Sequence, residues 1–216
     1  MELRELSLAV QKGSGKQSKQ LVKEALEQGL KPADILNNGL IAAMGEIGDK
    51  FKEGQIYVPE MLIAAKAMQA GLKVLAPSLK AEGVEPIGTA VIGTVKGDLH
   101  DIGKNLVIMM LESAGFEVID LGVDVPAEKF IEALEENPDV KIVGASALLT
   151  TTMEALKDTV KALNEYPGRD KIKVMVGGAP ITQEFADEIG ADAYTEDAAS
   201  AAQVAKKLAT SVSVPA

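Results

Sequence analysis

The stretch TAVIGTVKGDLHDIGKN, residues 89–105, decides how the second half of the chain folds. Residues 89–95 form a nearly continuous apolar run, which is typical of a parallel β-strand buried on both faces. A short polar loop follows, and the sequence then becomes helical. The loop contains His100, the only histidine in the chain. The stretch therefore predicts a strand, a loop and a helix, with one imidazole at the carboxyl end of the strand.

Strands and helices alternate downstream of this unit. Further strand candidates are residues 116–122, 141–148, 173–178 and, more weakly, 193–196. Helical segments separate them, and a last helix covers residues 198–210. This alternation predicts a Rossmann-like (flavodoxin-like) α/β domain over residues 89–213, built on a doubly wound, five-stranded parallel sheet.

Helical periodicity dominates the chain before residue 80. The predicted helices are residues 3–10, 19–30, 32–51 and 59–75. Pro32 and Pro59 each stand near the first turn of a helix, where proline is well tolerated. Four helices with short connections predict an all-α bundle over residues 1–80. Residues 81–88 contain Gly, Pro and acidic residues without periodicity, so they predict a linker.

Composition excludes several classes of protein. The formal net charge of −10 argues against nucleic acid and against anionic membrane surfaces as partners. The absence of cysteine excludes disulfides, thiolate zinc sites and iron–sulfur clusters. No apolar run is long enough to span a bilayer, and the first residues lack a signal core. We therefore expect a cytoplasmic protein without a nucleic-acid or membrane partner.

Three loops should meet at one edge of the predicted sheet. Parallel sheets bind ligands at the carboxyl ends of their strands, near the point where the strand order reverses. Strand one leads into His100, strand three into a Ser/Thr cluster, and strand four into Gly177 and Gly178. Ordinary roles remain open for these residues, because Asp98 or Asp101 could cap a helix and the glycines could form a tight turn.

Several chemistries do not fit this set of residues. Residues 144–148, GASAL, lack the second glycine of a hydrolase nucleophile elbow, and the histidine precedes the serine. No dinucleotide or Walker fingerprint follows the first strand. Zinc needs more nitrogen or sulfur ligands than one histidine supplies. A lone imidazole suits an axial ligand to a metal held by a macrocycle, with Asp98 fixing its tautomer.

The motifs D-L-H-D-I-G at 98–103, S-A-L at 146–148 and G-G at 177–178 resemble the D-x-H-x-x-G, S-x-L and G-G set of cobalamin-binding domains. The chain thus resembles the corrinoid proteins of anaerobic methyltransferase systems. It is also similar to the cobalamin-binding region of methionine synthase. Residues 48–62 resemble the helical cap segment of those proteins. Together the two resemblances cover nearly the whole chain.

The resemblance implies a role for each matching residue. His100 would be the lower axial ligand of cobalt in a base-off, His-on corrinoid, with Asp98 hydrogen-bonded to it and Thr152 completing the relay. The other cofactor-binding residues implied are Gly97, Asp101 and Gly103 in the loop, Ser146, Leu148 and Thr150 along the nucleotide tail, Gly177 and Gly178 beside it, and Ala198 at its far end.

The resemblance also assigns a cap. Phe51, Val58 and Met61 would cover the methyl face of the corrinoid, although periodicity alone is equally consistent with ordinary bundle core. Relatives often have N-E-G-L in the third helix, whereas this chain has Asn38 in place of the acid. Whether Asn38 replaces a cap carboxylate stays open.

The implied function is that of a methyl carrier that alternates between Co(I) and methyl-Co(III). Its implied partners are a substrate-specific methyltransferase, a second methyltransferase that uses tetrahydrofolate or a thiol, and a reductive activase. The chain has no substrate site of its own, so we expect a subunit rather than a complete enzyme. Three alternatives remain: a cobalamin-binding regulator, the binding subunit of an adenosylcobalamin-dependent mutase, and a cofactor-free α/β signalling domain.

Overall fold

The computed structural model of the protein describes residues 3–211. The described chain forms two compact units that divide between Pro86 and Ile87, with the short segment Ser113–Gly115 grouped with the first unit. The first unit is helical and the second contains the sheet. The predicted end of the α/β domain at residue 213 lies outside the described residues.

The helical unit consists of α1 (Leu3–Gln11), α2 (Gly15–Glu27), the single turn α3 (Pro32–Asp34), a π-helix (Ile35–Ile41), α4 (Ala42–Lys52) and α5 (Val58–Ala81). Leucine, isoleucine, methionine and alanine side chains from these helices form its core. Fully buried examples are Leu6, Ile35, Leu40, Ala64 and Leu75. Pro32 opens α3 and Pro59 is the second residue of α5, as the sequence predicted.

Three helices of this unit differ from the prediction. The second, α2, covers Gly15–Glu27 rather than residues 19–30. The third predicted helix is divided by the π-helix, in which Gly39 packs so closely on α1 that a Cβ would lie 2.7 Å from Cδ2 of Leu6. The fourth helix, α5, continues past the predicted end at Leu75, with Pro77 inside it. Leu75 and Leu79 are one turn apart and both buried, so the apolar stripe extends through the proline.

The α/β unit contains β1 (Thr89–Val95), α6 (Ile102–Ser113), β2 (Glu117–Val125), α7 (Ala127–Glu136), β3 (Val140–Ser146), α8 (Met153–Glu165), β4 (Lys173–Gly177), α9 (Gln183–Ile189), β5 (Ala193–Tyr194) and α10 (Ala198–Ser211). Short 3₁₀ turns occur at Thr150–Thr152 and Arg169–Lys171.

All strand pairs are parallel, and the strand order is β2-β1-β3-β4-β5. The predicted flavodoxin-like sheet is therefore confirmed. Every residue of β1 is buried, as its apolar run predicted for a strand covered on both faces. From β1 the chain continues to β2 at one edge of the sheet, whereas from β3 it continues to β4 toward the other edge. The strand order therefore reverses between β1 and β3.

The register aligns three strands at their carboxyl ends. Thr94 pairs with Ser146, and Ser146 pairs with Gly177. These residues form one row across β1, β3 and β4. The loops that follow the three strands therefore begin at the same edge of the sheet.

The end of β2 is irregular and longer than predicted. The register between β1 and β2 shifts on both sides of Gly93, and β2 continues to Val125 rather than ending near Gly122. Gly122 has φ +85° and Asp124 has φ +54°. Asp124 is the one residue other than glycine with positive φ in the described part of the chain, so this bulge is an unusual local structure.

Within residues 3–211, no helix has both the length and the apolar composition needed to cross a membrane.

Candidate functional site

The loop after β1 holds His100 against Asp98. Oδ1 of Asp98 accepts hydrogen bonds from the backbone N–H of His100 at 3.1 Å and lies 2.7 Å from its ring nitrogen Nδ1. The imidazole is 49% exposed, whereas Asp98 is completely buried. The carboxylate therefore fixes the inner edge of the ring and leaves its outer edge accessible.

The second oxygen of Asp98 binds the loop after β3. Oδ2 accepts hydrogen bonds from the backbone N–H of Leu148 at 2.7 Å, from that of Leu149 at 3.3 Å and from the hydroxyl of Thr152 at 2.7 Å. Burial of Asp98 raises the pKa of its carboxyl, but the hydrogen bonds from Thr152, Leu148 and His100 outweigh burial and lower that pKa well below its usual range. Asp98 is therefore a carboxylate at neutral pH.

The tautomer of His100 follows from this charge. A carboxylate only accepts hydrogen bonds, so Nδ1 of His100 must carry the proton that it shares with Asp98. The lone pair of the neutral ring is then on Nε2, at its outer edge. This arrangement presents one nitrogen donor outward from the sheet edge.

Thr94, which the sequence analysis did not single out, supports the same loop. Its hydroxyl donates to the backbone oxygen of His100 at 2.9 Å and lies 3.0 Å from the hydroxyl of Ser146. Because the hydroxyl hydrogen of Thr94 is used on the carbonyl, Ser146 must be the donor in that pair. Oγ of Ser146 therefore keeps lone pairs that can accept a hydrogen bond from a ligand.

The glycines at this edge differ in how much space a Cβ atom would have. At Gly178, with φ +128°, a Cβ would lie 1.8 Å from the backbone oxygen of Ala147, so the fold itself requires glycine. At Gly177 a Cβ would lie 3.4 Å from the backbone oxygen of Thr195, and at Gly97, with φ +82°, 3.7 Å from Cγ2 of Thr152. Nothing lies within 4 Å of a Cβ built on Gly103, in the first turn of α6, so this surface is open to a ligand.

Four large apolar side chains in or next to the loops after β1 and β3 are exposed to solvent. Leu99 is 72% exposed, Ile102 76%, Leu148 42% and Leu149 40%. Only Leu148 among them was a predicted site residue. Leu99 and Ile102 could have been noticed as apolar residues close to His100 in a polar loop, and Leu149 as an apolar residue directly after the S-A-L motif. Exposed apolar groups on two loops that are joined through Asp98 indicate a binding surface rather than core.

The remaining predicted residues of the α/β unit are distributed along this edge. Asp101 is exposed and accepts from the Asn105 side chain at 3.1 Å, and Thr150 is exposed in the 3₁₀ turn before α8. Ala198 begins α10 beyond the end of β5 and is buried. All three stay predictions as ligand contacts.

The predicted cap residues lie in the helical unit. Phe51 is near the end of α4 and Val58 begins α5, and both are partly exposed. Met61 is 2% exposed, so its side chain lies in the core of that unit, as ordinary bundle packing would place it. Asn38 is exposed within the π-helix.

The α/β site fits a corrinoid on three counts. Nε2 of His100 is an outward nitrogen donor, the exposed leucines and isoleucine suit the apolar periphery of a flat macrocycle, and Gly103 leaves room for close approach. These features suit a metal-centred macrocycle bound at this edge of the sheet.

Comparison with known proteins identifies the family. A family model described as a B12 binding domain matches residues 88–203, and another of the same description matches residues 2–76. The chain belongs to the family of B12-binding corrinoid proteins.

Its relatives include dimethylamine corrinoid protein 1 of Methanosarcina mazei, which is 48% identical over 86% of each chain. Another is the trimethylamine corrinoid protein of Methanosarcina barkeri, 44% identical over 84% of each chain. Among solved structures, a chain of the methanol:cobalamin methyltransferase complex of Methanosarcina barkeri matches with a TM-score of 0.82 and 31% identity, covering 96% of this chain and 79% of that one.

Proposed function

We propose that the protein is a methyl carrier that binds a corrinoid in the base-off, His-on state, with His100 as the lower axial ligand of cobalt. The observation that carries the proposal is the pair of Asp98 and His100, which are 2.7 Å apart with Nε2 directed away from the carboxylate. When bound, the corrinoid supplies a cobalt centre that carries a methyl group by cycling between Co(I) and methyl-Co(III).

The protein's own contribution is to hold an imidazole that can also be released. With Nε2 as the donor to a bound cobalt, the hydrogen bond from Nδ1–H to Asp98 would keep the ring oriented. Without cobalt, the lone pair of Nε2 would be free to accept a proton while Nδ1–H keeps its hydrogen bond to Asp98. Cobalt and a proton would therefore compete for the same nitrogen.

Thr152 adjusts this coupling. Its single hydroxyl hydrogen has two acceptors within reach, Oδ2 of Asp98 at 2.7 Å and the backbone oxygen of Leu149 at 2.9 Å. Directed at Asp98, the hydroxyl withdraws charge from the carboxylate; directed at Leu149, it leaves more charge for the imidazole. The relay His100–Asp98–Thr152 can thus favour either the coordinated or the protonated ring.

The ends of β3, β4 and β5 receive the displaced nucleotide tail in this proposal. Ser146 offers an acceptor, and Gly177 and Gly178 let the tail pass close to the backbone. Leu148, Thr150 and Ala198 stand along the same edge, and Gly97, Asp101 and Gly103 shape the loop that carries the histidine. The helical unit remains the proposed cap, with the partly exposed Phe51 and Val58 as its apolar contacts and with Met61 buried in its core.

We infer partners from the relatives. Two are named for dimethylamine and trimethylamine, and the solved structure is a complex with a methanol methyltransferase. We propose that this protein accepts a methyl group from a methyltransferase specific for a methylated amine, as part of a cytoplasmic methanogenic system. A second methyltransferase would pass the group to a thiol or tetrahydrofolate, and a reductive activase would restore Co(I).

The test is retention of hydroxocobalamin. The full chain and the His100→Ala variant are incubated with hydroxocobalamin, desalted and reduced to Co(II), and their electron paramagnetic resonance spectra are recorded. We expect near-stoichiometric cobalt with splitting from one nitrogen in the wild type and no such splitting in the variant. Absence of retained cobalt in the folded wild type, or persistent nitrogen splitting in the variant, would contradict the proposal.

A further inference from the structure

We propose that the bulge at the end of β2 is a clamp for the histidine loop and that Asp124 is its positioning residue. The hydrogen bonds of Asp124 go to Gly97 and Asp98 and not to His100 itself. Its role is to hold the main chain of Gly97 and Asp98 so that the Asp98 carboxylate meets Nδ1 of His100. The consequence for metal ligation rests on the proposed function, whereas the effect on the imidazole does not.

Asp124 forms hydrogen bonds with the histidine loop through both its backbone and its side chain. Its backbone N–H donates to the backbone oxygen of Asp98 at 2.9 Å, and its Oδ1 accepts from the backbone N–H of Gly97 at 2.7 Å. The backbone N–H of Asp98 donates to the oxygen of Val95 at 3.1 Å. The peptide group before Asp98 is therefore fixed by the end of β1, and the peptide group after it is fixed by the end of β2.

The backbone of Asp124 is adapted to this task. Its φ of +54° is in the left-handed region, which costs free energy for residues other than glycine and is best tolerated by Asn and Asp. Such a conformation persists where surrounding contacts hold it, and it is common at functional sites. Here the two hydrogen bonds to Gly97 and Asp98 are the contacts that hold it.

The buried ammonium group of Lys104 supports the bulge through Asp120. Lys104, in the first turn of α6, has a side chain only 2% exposed, and its ammonium donates to Oδ1 of Asp120 at 2.7 Å. The same oxygen accepts from the backbone N–H of Gly122 at 2.9 Å. A buried ammonium needs a paired carboxylate, so Lys104 fixes Asp120, and Asp120 fixes the turn that leads to Asp124.

This chain of contacts reaches the imidazole through Asp98. The carboxylate of Asp98 has partners in two loops, His100 on one side and Leu148 and Thr152 on the other. If the main chain of Asp98 is loosened, the carboxylate can stay with the β3 loop while its distance to Nδ1 increases. The ring of His100 would then lose its preference for the Nδ1–H tautomer.

The test compares three substitutions of one residue in the full chain. Asp124→Asn keeps an acceptor oxygen and tolerates positive φ. Asp124→Gly removes the backbone strain and the acceptor together, and Asp124→Ala removes the acceptor while keeping the strain. Asp187→Ala, which removes an exposed carboxylate on α9, is the matched control.

The first readout uses apo protein labelled with ¹⁵N-histidine, at a pH where the imidazole is neutral. Because the chain has one histidine, each ring nitrogen gives one signal, and the protonated nitrogen lies well upfield of the other. We expect the Nδ1–H tautomer in the wild type, Asp124→Asn and Asp187→Ala, and a mixture of tautomers in Asp124→Gly and Asp124→Ala. A wild-type tautomer in the folded glycine and alanine variants would overturn the proposal.

The second readout is the corrinoid itself. Substitutions that disturb the partner of a metal-bound histidine weaken metal binding about 10- to 100-fold. We expect Asp124→Gly and Asp124→Ala to retain hydroxocobalamin about tenfold more weakly than Asp124→Asn. If no variant, including the wild type, retains cobalt while the tautomers change as described, the proposed function fails and the clamp stands. Equal retention by all folded variants would contradict the clamp.

Discussion

Asp98 Oδ1 lies 2.7 Å from His100 Nδ1, while the other oxygen of the same buried carboxylate accepts from Leu148, Leu149 and Thr152. One carboxylate thus joins the loop after β1 to the loop after β3. The imidazole is oriented by a group that is itself fixed by the neighbouring strand's loop. The geometry of the nitrogen donor therefore depends on two loops at once.

Replacing the imidazole tests its role apart from the fold. His100→Ala should change the free energy of unfolding by less than about 1 kcal/mol, because the ring is half exposed and its backbone hydrogen bonds remain. Corrinoid retention should fall sharply in the same variant. Urea unfolding followed by circular dichroism gives the first quantity, and desalting after incubation with hydroxocobalamin gives the second. Loss of the fold would show that His100 is structural.

The buried carboxylate should make stability depend on pH. Because the pKa of Asp98 is lowered in the folded protein, its stabilising contribution is full above the ordinary carboxyl pKa of about 4 and is lost as the pH falls further toward the lowered value. Asp98→Asn should therefore be less stable than the wild type at pH 7, by about 1–3 kcal/mol, with a smaller difference at pH 3.5. Urea unfolding at several pH values measures the difference. A difference that does not change with pH would argue against a lowered pKa.

The hydroxyl of Thr152 can be tested with two substitutions of similar size. Thr152→Ser keeps the donor, and Thr152→Val keeps the volume but leaves Oδ2 of Asp98 with one donor fewer. We expect Thr152→Val to lose about 1–2 kcal/mol of stability and Thr152→Ser to lose less than the valine variant. Thermal unfolding of apo protein compares them. A larger loss in the serine variant would mean that packing of the methyl group, rather than the hydrogen bond, matters at this position.

Gly103 and Gly178 should respond to alanine in opposite ways. Gly103→Ala is expected to raise the stability of apo protein by up to about 1 kcal/mol, since the site is helical and a Cβ meets nothing within 4 Å. Its corrinoid retention should fall, because the methyl group occupies the surface open to the ligand. Gly178→Ala should cost about 3 kcal/mol or more, since its Cβ would collide with the backbone of Ala147. Apo melting temperatures and retention assays on both variants distinguish binding from folding.

Much of the fold could be predicted because its signals are local. The apolar runs of β1, β3 and β4 and the helices between them indicate a parallel sheet directly from the sequence. The π-helix could not be predicted in this way, because Leu36 and Leu40 keep the i, i+4 apolar spacing of an ordinary α-helix. Its backbone pattern depends on how closely Gly39 packs against α1.

The motifs indicated which polar side chains lie together, whereas the roles of those side chains toward a cofactor stay predictions. Asp98, His100 and Thr152 are brought together as the resemblance implied, and hydrogen bonds join them. Thr94 and Asp124 were missed for physical reasons. Thr94 is a buried strand residue whose hydroxyl matters only through the pairing with Ser146, and Asp124 acts through a positive φ and contacts to a distant loop.

The row Thr94–Ser146–Gly177 has a consequence for how the protein folds. A one-residue slip of any of these strands would turn the row's side chains to the opposite face and separate the loops that follow. Parallel strands such as β1 and β3 are separated in the sequence by other helices and strands. Their pairing is slow, because the long intervening segment must close into a loop first. The binding site therefore exists only after the last of these pairings has formed in register. Binding of a corrinoid by refolding chains should accordingly appear as a late kinetic phase. Corrinoid absorbance that stays with the protein would then report completed folding rather than early collapse.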